Sequence, residues 1–285
     1  MLKHRLFFGT LMTLSFIGIV VFDGWLDGSI TKSVTDNKSF QGTLLAVLVA
    51  LLLIPAQLEF ARLAEARGLD VFTPVLLPVS IILATIWYWR QFVKVPLGLS
   101  VMIIFALALS MLMLYQYRRH GVDGVITNCG VGCLSLIYIG LFSSFVIAIR
   151  LDFGLWPFLM SILVVKCADI GAYAIGSLFG KHKFCPKISP GKTWEGMLGA
   201  IVVGVVVAMV FAAISDIMYL WLGAAFGICF AVIGQAGDLV ESMIKRDARQ
   251  KDSANNVPGF GGVLDIIDSP LLAVPFAYLF FKVFT

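Results

Sequence analysis

The sequence predicts an all-α protein, a polytopic transmembrane helix bundle of about nine spans with a cytoplasmic N-terminus. Hydrophobic residues make up 60% of the 285 residues and charged residues only 13%, against roughly 45–50% and roughly 25% in an ordinary soluble domain. Long apolar runs alternate with short polar connections, and a bilayer-spanning helix needs about 20 mostly apolar residues. These observations exclude a soluble enzyme, a disordered chain and a fibrous repeat.

Nine apolar runs qualify as spanning helices. The first follows a basic N-terminus and is interpreted as a retained span, because no small-residue cleavage site follows it. The seventh and eighth runs are separated only by a short turn that begins at Ser215, and the ninth run is short. The predicted spans are roughly 6–22, 41–59, 71–89, 95–115, 125–149, 155–179, 197–215, 219–240 and 270–285.

Lys and Arg are distributed unevenly over the connections between these spans. With the N-terminus inside, 14 of the 21 fall in inner connections, six in outer connections and one, Lys166, within a span. Because positively charged connections are retained in the cytoplasm, we expect a cytoplasmic N-terminus, with the polar loops 180–196 and 241–269 on the same cytoplasmic face. The net charge of +4 is small and indicates no nucleic-acid partner.

Charged and glycine-rich segments concentrate in the C-terminal half. We therefore predict that residues 1–150 are lipid-facing scaffold helices, and that residues 151–285 form a catalytic transmembrane region. Ala172, Gly176 and Gly180 form a small-residue stripe, which allows another helix to approach closely. Such stripes permit a homodimer without requiring one.

Several charged side chains fall within the C-terminal spans. A charge at the centre of a span costs about 2.5–3.5 kcal/mol on insertion scales, so it is a functional candidate by default. Lys166 and Asp169 share a helix face, and form either a structural ion pair or a cation-and-phosphate site. Asp238, Glu241 and Lys245 lie on one stripe of a later helix, and we expect Asp238 to be functional.

The loop 180–196 contains four lysines. A basic loop beside anionic lipid would explain them. The run Gly191-Lys192-Thr193 is not a P-loop, because Pro186 stands where that motif requires glycine. Ser189 and Pro190 are expected to open a helix, and a helix N-terminus with hydroxyl and lysine neighbours readily binds phosphate. Both interpretations of the loop stay open on these residues alone.

The segment 251–269 combines a glycine-rich turn at 258–262 with two aspartates. Asp265 and Asp268 are three residues apart and would point the same way on a helix. An aspartate pair near a helix start is often only a cap. Together with Asp238 and the nearby lysines, however, these carboxylates provide what Mg²⁺ and a triphosphate require, namely hard oxygen ligands and cations.

This C-terminal pattern resembles the phosphatidate cytidylyltransferase family, also called CDP-diacylglycerol synthases. The family signature reads S-x-x-K-R-x4-K-D-S, then P-G-H-G-G, then D-R-x-D, and its spacing is kept throughout. Phe260 replaces the family's His, and Ile266 replaces its Arg. The matching residues are Ser242, Lys245, Arg246, Lys251, Asp252, Ser253, Pro258, Gly259, Gly261, Gly262, Asp265 and Asp268, and the segments 168–173 and 187–196 also look like the family.

The resemblance implies transfer of the cytidylyl group from CTP to phosphatidic acid, giving CDP-diacylglycerol and pyrophosphate for phospholipid biosynthesis. We expect Asp238 and Asp265 to hold Mg²⁺, with Asp268 and Asp169 either as further ligands or as residues that support the ligands. A second cation is left open. The implied catalytic residues are Asp238, Asp265, Asp268, Lys245 and Lys251. The implied substrate-binding residues are Asp169, Lys187, Ser189, Lys192, Thr193, Ser242 and Arg246.

We expect a multi-pass protein of a bacterial inner membrane, with its active site on the cytoplasmic side. Two other functions stay open. A CTP-dependent polyprenol or dolichol kinase would transfer the γ-phosphate instead of the cytidylyl group. An ion-coupled transporter would use Lys166, Asp169 and Asp238 as a relay, but the sequence lacks the internal repeat that is typical of many transporters.

Overall fold

The computed structural model describes residues 2–30, 40–254, 256–257 and 261–285, with side chains from residue 9 onward. These residues form helices, connections and two isolated β-bridges, which confirms the predicted all-α class. A π-helical turn spans Leu136–Leu141. The helices are α1 (Leu2–Leu26), α2 (Thr43–Glu65), α3 (Thr73–Ala84), α4 (Ile86–Trp89), α5 (Leu97–His120), α6 (Val125–Ser135), α7 (Phe142–Phe153), α8 (Leu155–Phe179), α9 (Trp194–Ser215), α10 (Leu220–Asp247) and α11 (Leu264–Phe284).

Eight helical segments of the described residues are long and apolar enough to cross a membrane, which confirms a polytopic membrane protein. The predicted third span, 71–89, is instead two short helices. Thr85 interrupts it, because its backbone leaves the helical region (φ −96°, ψ 8°). The 12-residue helix α3 is about 18 Å long, shorter than the roughly 30 Å hydrocarbon core. The cytoplasmic position of the N-terminus stays a prediction.

The chain divides into two compact units. The first contains residues 1–151 and 247–266, and the second contains residues 152–246 and 267–285. The assignment of scaffold and catalytic roles to 1–150 and 151–285 stays a prediction. The structure adds that the segment 247–266, which carries Lys251 and Asp265, belongs to the first unit.

Polar side chains bind one another across the helices of the first unit. Gln57 on α2 donates a hydrogen bond to the Ser135 hydroxyl (2.6 Å) and accepts one from Ser80 (3.3 Å). Arg150, which is fully buried, pairs with Asp27 at 3.2 Å. In an apolar surrounding a polar group is costly unless it is hydrogen-bonded, so these contacts determine which helices of the unit can pack together.

Glycine allows α8 and α9 to pack closely in the second unit. A Cβ atom added at Gly199 would lie only 2.7 Å from the Gly171 carbonyl oxygen and 2.6 Å from Ile175 Cβ. Further along, a Cβ at Gly196 would lie 2.9 Å from the carbonyl oxygen of Ala172. The close approach predicted for the Ala172 stripe is therefore confirmed, and α9 is the helix that occupies it.

Replacing Gly199 by alanine should destabilise the protein by about 1–3 kcal/mol, because the added methyl group overpacks the α8–α9 contact. The free energy of unfolding in detergent measures this effect. Gly130→Ala is the matched control, because a Cβ at Gly130 meets no atom within 4 Å and alanine is favoured over glycine in a helix by about 1 kcal/mol. Equal destabilisation by the two substitutions would contradict the packing described here.

Candidate catalytic site

Three carboxylates converge in the second unit. Asp238 and Glu241 project from α10 and Asp268 from α11, and one oxygen atom of each lies within 4.8 Å of the others. Glu241 and Asp268 are buried, and Asp238 is half-buried. Carboxylate oxygens are the ligands that hard divalent cations such as Mg²⁺ prefer. The donor chemistry and the spacing therefore fit one such ion.

Gly237 lets the two helices of this cluster approach. A Cβ atom at Gly237 would lie 2.9 Å from the Asp268 carbonyl oxygen and 3.0 Å from Ser269 Cα. Any larger residue would push the backbones of α10 and α11 apart, because real Cβ contacts are longer than this. The glycine next to Asp238 in sequence thus places Asp238 beside Asp268 in space.

Lys166 lies between two acids of the second unit. Its ammonium nitrogen is 3.6 Å from an Asp169 carboxylate oxygen and 3.7 Å from one of Asp268. The Lys166–Asp169 pair that the spacing predicts is therefore present, and it also reaches α11. A pair of this kind neutralises charge that would otherwise be costly within an apolar helix.

Lys192 connects the 181–193 loop to Asp238. Its Nζ lies 2.6 Å from an Asp238 carboxylate oxygen and donates to Gln235 Oε1 at 2.8 Å. Gln235 in turn donates to Asp169 at 2.9 Å. Lys192 and Asp169, both predicted as substrate-binding residues, are thus joined to the carboxylate cluster through one amide side chain.

The remaining predicted residues of α10 surround the same cluster. Lys245 pairs with Glu241 one turn earlier, and the Ser242 hydroxyl donates to Asp238 at 3.3 Å. Arg246 donates through Nε to the Ile188 carbonyl oxygen at 3.1 Å, so it holds the 181–193 loop against α10. The three lysines at positions 166, 192 and 245 thus all pair with acids of the site.

The helix after the loop begins later than predicted. Thr193, not Ser189, is the N-cap of α9, and its hydroxyl accepts a hydrogen bond from the Gly196 N–H at 3.1 Å. The expectation that Ser189 and Pro190 open a helix is wrong, because the Ser189 carbonyl oxygen accepts from the Lys192 N–H in a turn. Lys187 is exposed in that loop. Binding of substrate by Lys187, Ser189 and Thr193 stays a prediction.

Asp265 lies in the first unit and binds its own loop. Its Oδ2 accepts hydrogen bonds from the Ser253 N–H (3.0 Å), the Ser253 hydroxyl (2.6 Å) and the Gly262 N–H (2.8 Å). Lys251 is exposed two residues before Ser253. The predicted role of Asp265 as a metal ligand stays a prediction. Of the two departures from the family signature, Ile266 is half-buried in the first turn of α11, whereas Phe260 lies outside the described residues.

Two residues of this site, Glu241 and Gln235, are not predicted from the sequence as ligands or substrate contacts. Glu241 was recognised on the Asp238 stripe but not as a candidate ligand, although an i, i+3 carboxylate pair on one helix face is a usable signal. Gln235 gave no signal, because an isolated amide in an apolar helix is equally compatible with a purely structural hydrogen bond.

Comparisons with known proteins agree with this description. The model of the cytidylyltransferase family matches residues 37–284. A phosphatidate cytidylyltransferase of Bacillus subtilis is 36% identical over 271 residues, which cover 87% of this chain and 98% of that protein. A Haemophilus influenzae protein of the same name is 43% identical over 136 residues, 46% of this chain and 47% of its own length.

A third relative, the phosphatidate cytidylyltransferase of Mycobacterium bovis, is 41% identical over 124 residues, 44% of this chain and 40% of that protein. The family match covers most of both compact units, and the similarity to the Bacillus protein extends over nearly its whole length. The resemblance drawn from the C-terminal signature is thereby confirmed: the chain belongs to the cytidylyltransferase family.

Proposed function

We propose that the protein transfers the cytidylyl group of CTP to phosphatidic acid, and that Asp238, Glu241 and Asp268 hold the Mg²⁺ that this reaction uses. The observation that carries the proposal is the convergence of these three carboxylates, with Lys166 and Lys192 beside them. Membership of the family, and the printed name of the Bacillus relative, support the choice of substrates.

The reaction needs no nucleophilic side chain. An oxygen of the lipid phosphate attacks the α-phosphorus of CTP, the bond from that phosphorus to the bridging oxygen breaks, and pyrophosphate leaves. The protein therefore contributes positioning and charge neutralisation, as in other phosphoryl transfers. Bound at the three carboxylates, Mg²⁺ would neutralise charge on the phosphate groups.

The lysines of the site would hold the anionic substrates. Lys192 reaches Asp238 from a loop, and its side chain can move toward a phosphate oxygen without a change in the helices. Lys166 is held between Asp169 and Asp268, where it keeps the acids partly neutralised while no substrate is bound. Gln235 orients both Lys192 and Asp169 through its amide.

A membrane-embedded site suits one lipid substrate and one soluble polyanion. Eight helical segments with the length and composition of spans support a multi-pass membrane protein, and the bacterial relatives support the inner membrane. The site would open on the cytoplasmic side, because the loops 180–196 and 241–269 hold many of the positive charges. The homodimer stays a prediction.

Detergent-solubilised protein supplied with α-labelled CTP, Mg²⁺ and phosphatidic acid should place label in the lipid phase, and a chelator should abolish the transfer. This label distinguishes the proposed reaction from a CTP-dependent kinase, which would transfer only γ-label. Folded protein that gives no lipid-bound α-label would contradict the proposal. If Phe260→His with Ile266→Arg then restored transfer, the two departures would be the cause of the loss.

Asp238→Asn, Glu241→Gln and Asp268→Asn should each lower kcat on the order of 100-fold or more, because each removes a charged oxygen ligand from the proposed ion. Asp265→Asn should also abolish turnover while leaving the protein folded. Asp216→Asn is the matched control, because Asp216 lies in the α9–α10 turn with φ 50°, a conformation that asparagine tolerates. Full activity in any of the three cluster variants would show that the substituted residue is not a ligand of the proposed ion.

A further inference from the structure

A buried carboxylate of the first unit binds the segment that carries the family signature. Glu59 on α2 is only 1% exposed, and its neighbours Phe60 and Ala61 are buried apolar residues. An ionised carboxylate in such a place is costly unless hydrogen bonds compensate for the lost water. Among the described residues, the hydrogen-bond partners of Glu59 are Ser253, Val263 and Leu264.

Glu59 caps α11 from a distant part of the chain. It accepts hydrogen bonds from the Leu264 N–H at 2.8 Å and the Val263 N–H at 3.0 Å. The first N–H groups of a helix have no partner within the helix, and a negative charge at that end is favourable. These partners are 204 and 205 residues away along the chain, so the cap attaches the start of α11 to α2.

The Glu59 carboxylate also binds Ser253, two residues after Lys251. The Ser253 hydroxyl lies 2.9 Å from Glu59 Oε2 and 2.6 Å from Asp265 Oδ2, so it sits between the two acids. A Cβ atom at Gly262 would lie 2.3 Å from Glu59 Oε2 and 2.1 Å from Ser253 Oγ. Only glycine fits at position 262. Because it has no side chain, Ser253 and the start of α11 can both contact Glu59.

The segment held in this way forms a cavity with α2. The cavity measures about 250 Å³ and is lined by Arg62 and Leu63 of α2 and by residues 250–254. Arg62 follows Glu59 by three residues, so both lie on one side of the helix. Arg62 and Lys251 give the cavity two cations against the one carboxylate of Asp252, which suits a phosphate group of an anionic substrate.

We propose that Glu59 is a positioning residue of the cytidylyltransferase reaction, which holds the Lys251 segment against α2 so that Lys251 and Arg62 face one phosphate-binding cavity. The inference rests on the proposed function. It adds that α2 contributes to substrate binding, whereas the signature residues all lie in the C-terminal half.

The test compares Glu59→Gln, which keeps the shape of the side chain and removes its charge, with Glu65→Gln. Glu65 is an exposed residue at the end of the same helix, so the control makes the same chemical change. Two quantities are measured on detergent-purified protein: the rate of tryptic cleavage after Lys251, and KM for CTP beside kcat. Tryptic cleavage does not depend on catalysis.

Glu59→Gln should speed cleavage after Lys251 by about fivefold or more, because the segment opens more often. It should also raise KM for CTP by about tenfold, which is the size of effect expected when a residue that supports a ligand-binding group is changed. Glu59→Asp should change the cleavage rate and KM for CTP less than Glu59→Gln does. Glu65→Gln should change neither quantity. If wild-type protein transfers no label, the proposed reaction fails, while the cleavage rates still decide whether Glu59 holds the segment.

Unchanged cleavage in folded Glu59→Gln would overturn the proposal. Faster cleavage with an unchanged KM for CTP would overturn it as well, because the contact would then be structural only. If Glu59→Gln does not fold, Ser253→Ala removes one hydrogen-bond donor to Glu59 while the Val263 and Leu264 N–H donors remain, and the same two measurements apply. Arg62→Gln should raise KM for CTP without faster cleavage, and an unchanged KM would exclude Arg62 from the cavity's function.

Discussion

The need to keep several carboxylates close together among apolar helices governs the second unit. Asp238, Glu241 and Asp268 offer oxygens within 4.8 Å of one another, and like charges at this distance repel strongly where water is scarce. Lys166, Lys192 and Lys245 each pair with one or more of these acids. The lysines therefore lower the electrostatic cost of the cluster when no ligand is bound. The same cations are suited to binding the phosphate groups of a substrate.

Close backbone packing is the second requirement of such a site. Helices in lipid gain little from burying apolar surface against each other, so small residues that permit near contact become important. Gly171 and Gly199 bring α8 to α9, and Gly237 brings α10 to α11 at the level of Asp268. Gly237 sets the approach of α10 to α11 and is next to Asp238 in sequence. The helix packing and the position of the Asp238 carboxylate are therefore set by two adjacent residues.

Much of this arrangement could be predicted from the sequence, because it depends on local patterns. Long apolar runs predicted the spans. The charged positions 166, 169 and 238 within them, and Asp268 just before the last one, were predicted as site residues. The interruption at Thr85 was missed, since hydropathy does not register a backbone that leaves the helical region. The N-cap was placed at Ser189 instead of Thr193, because both residue types cap helices and only the intervening turn decides between them.

Contacts between distant segments could not be predicted. Glu59 gave no signal, because its partners Ser253, Val263 and Leu264 are about two hundred residues away and no spacing rule connects them. Asp265 and Asp268 are three residues apart, yet Asp265 binds the Ser253 loop whereas Asp268 faces Lys166. Helical spacing predicts which residues share a face, but partners from other helices determine what each residue does.

In the proposed function, the approach of α10 to α11 at Gly237 assembles the metal site from three carboxylates. The most direct measurement is Mn²⁺ binding to the nucleotide-free protein, followed by electron paramagnetic resonance, in the wild type, in Gly237→Ala and in the control Gly130→Ala. We expect Gly237→Ala to weaken Mn²⁺ binding by about tenfold or more, and Gly130→Ala to keep the wild-type affinity. Equal affinity in all three folded proteins would contradict it.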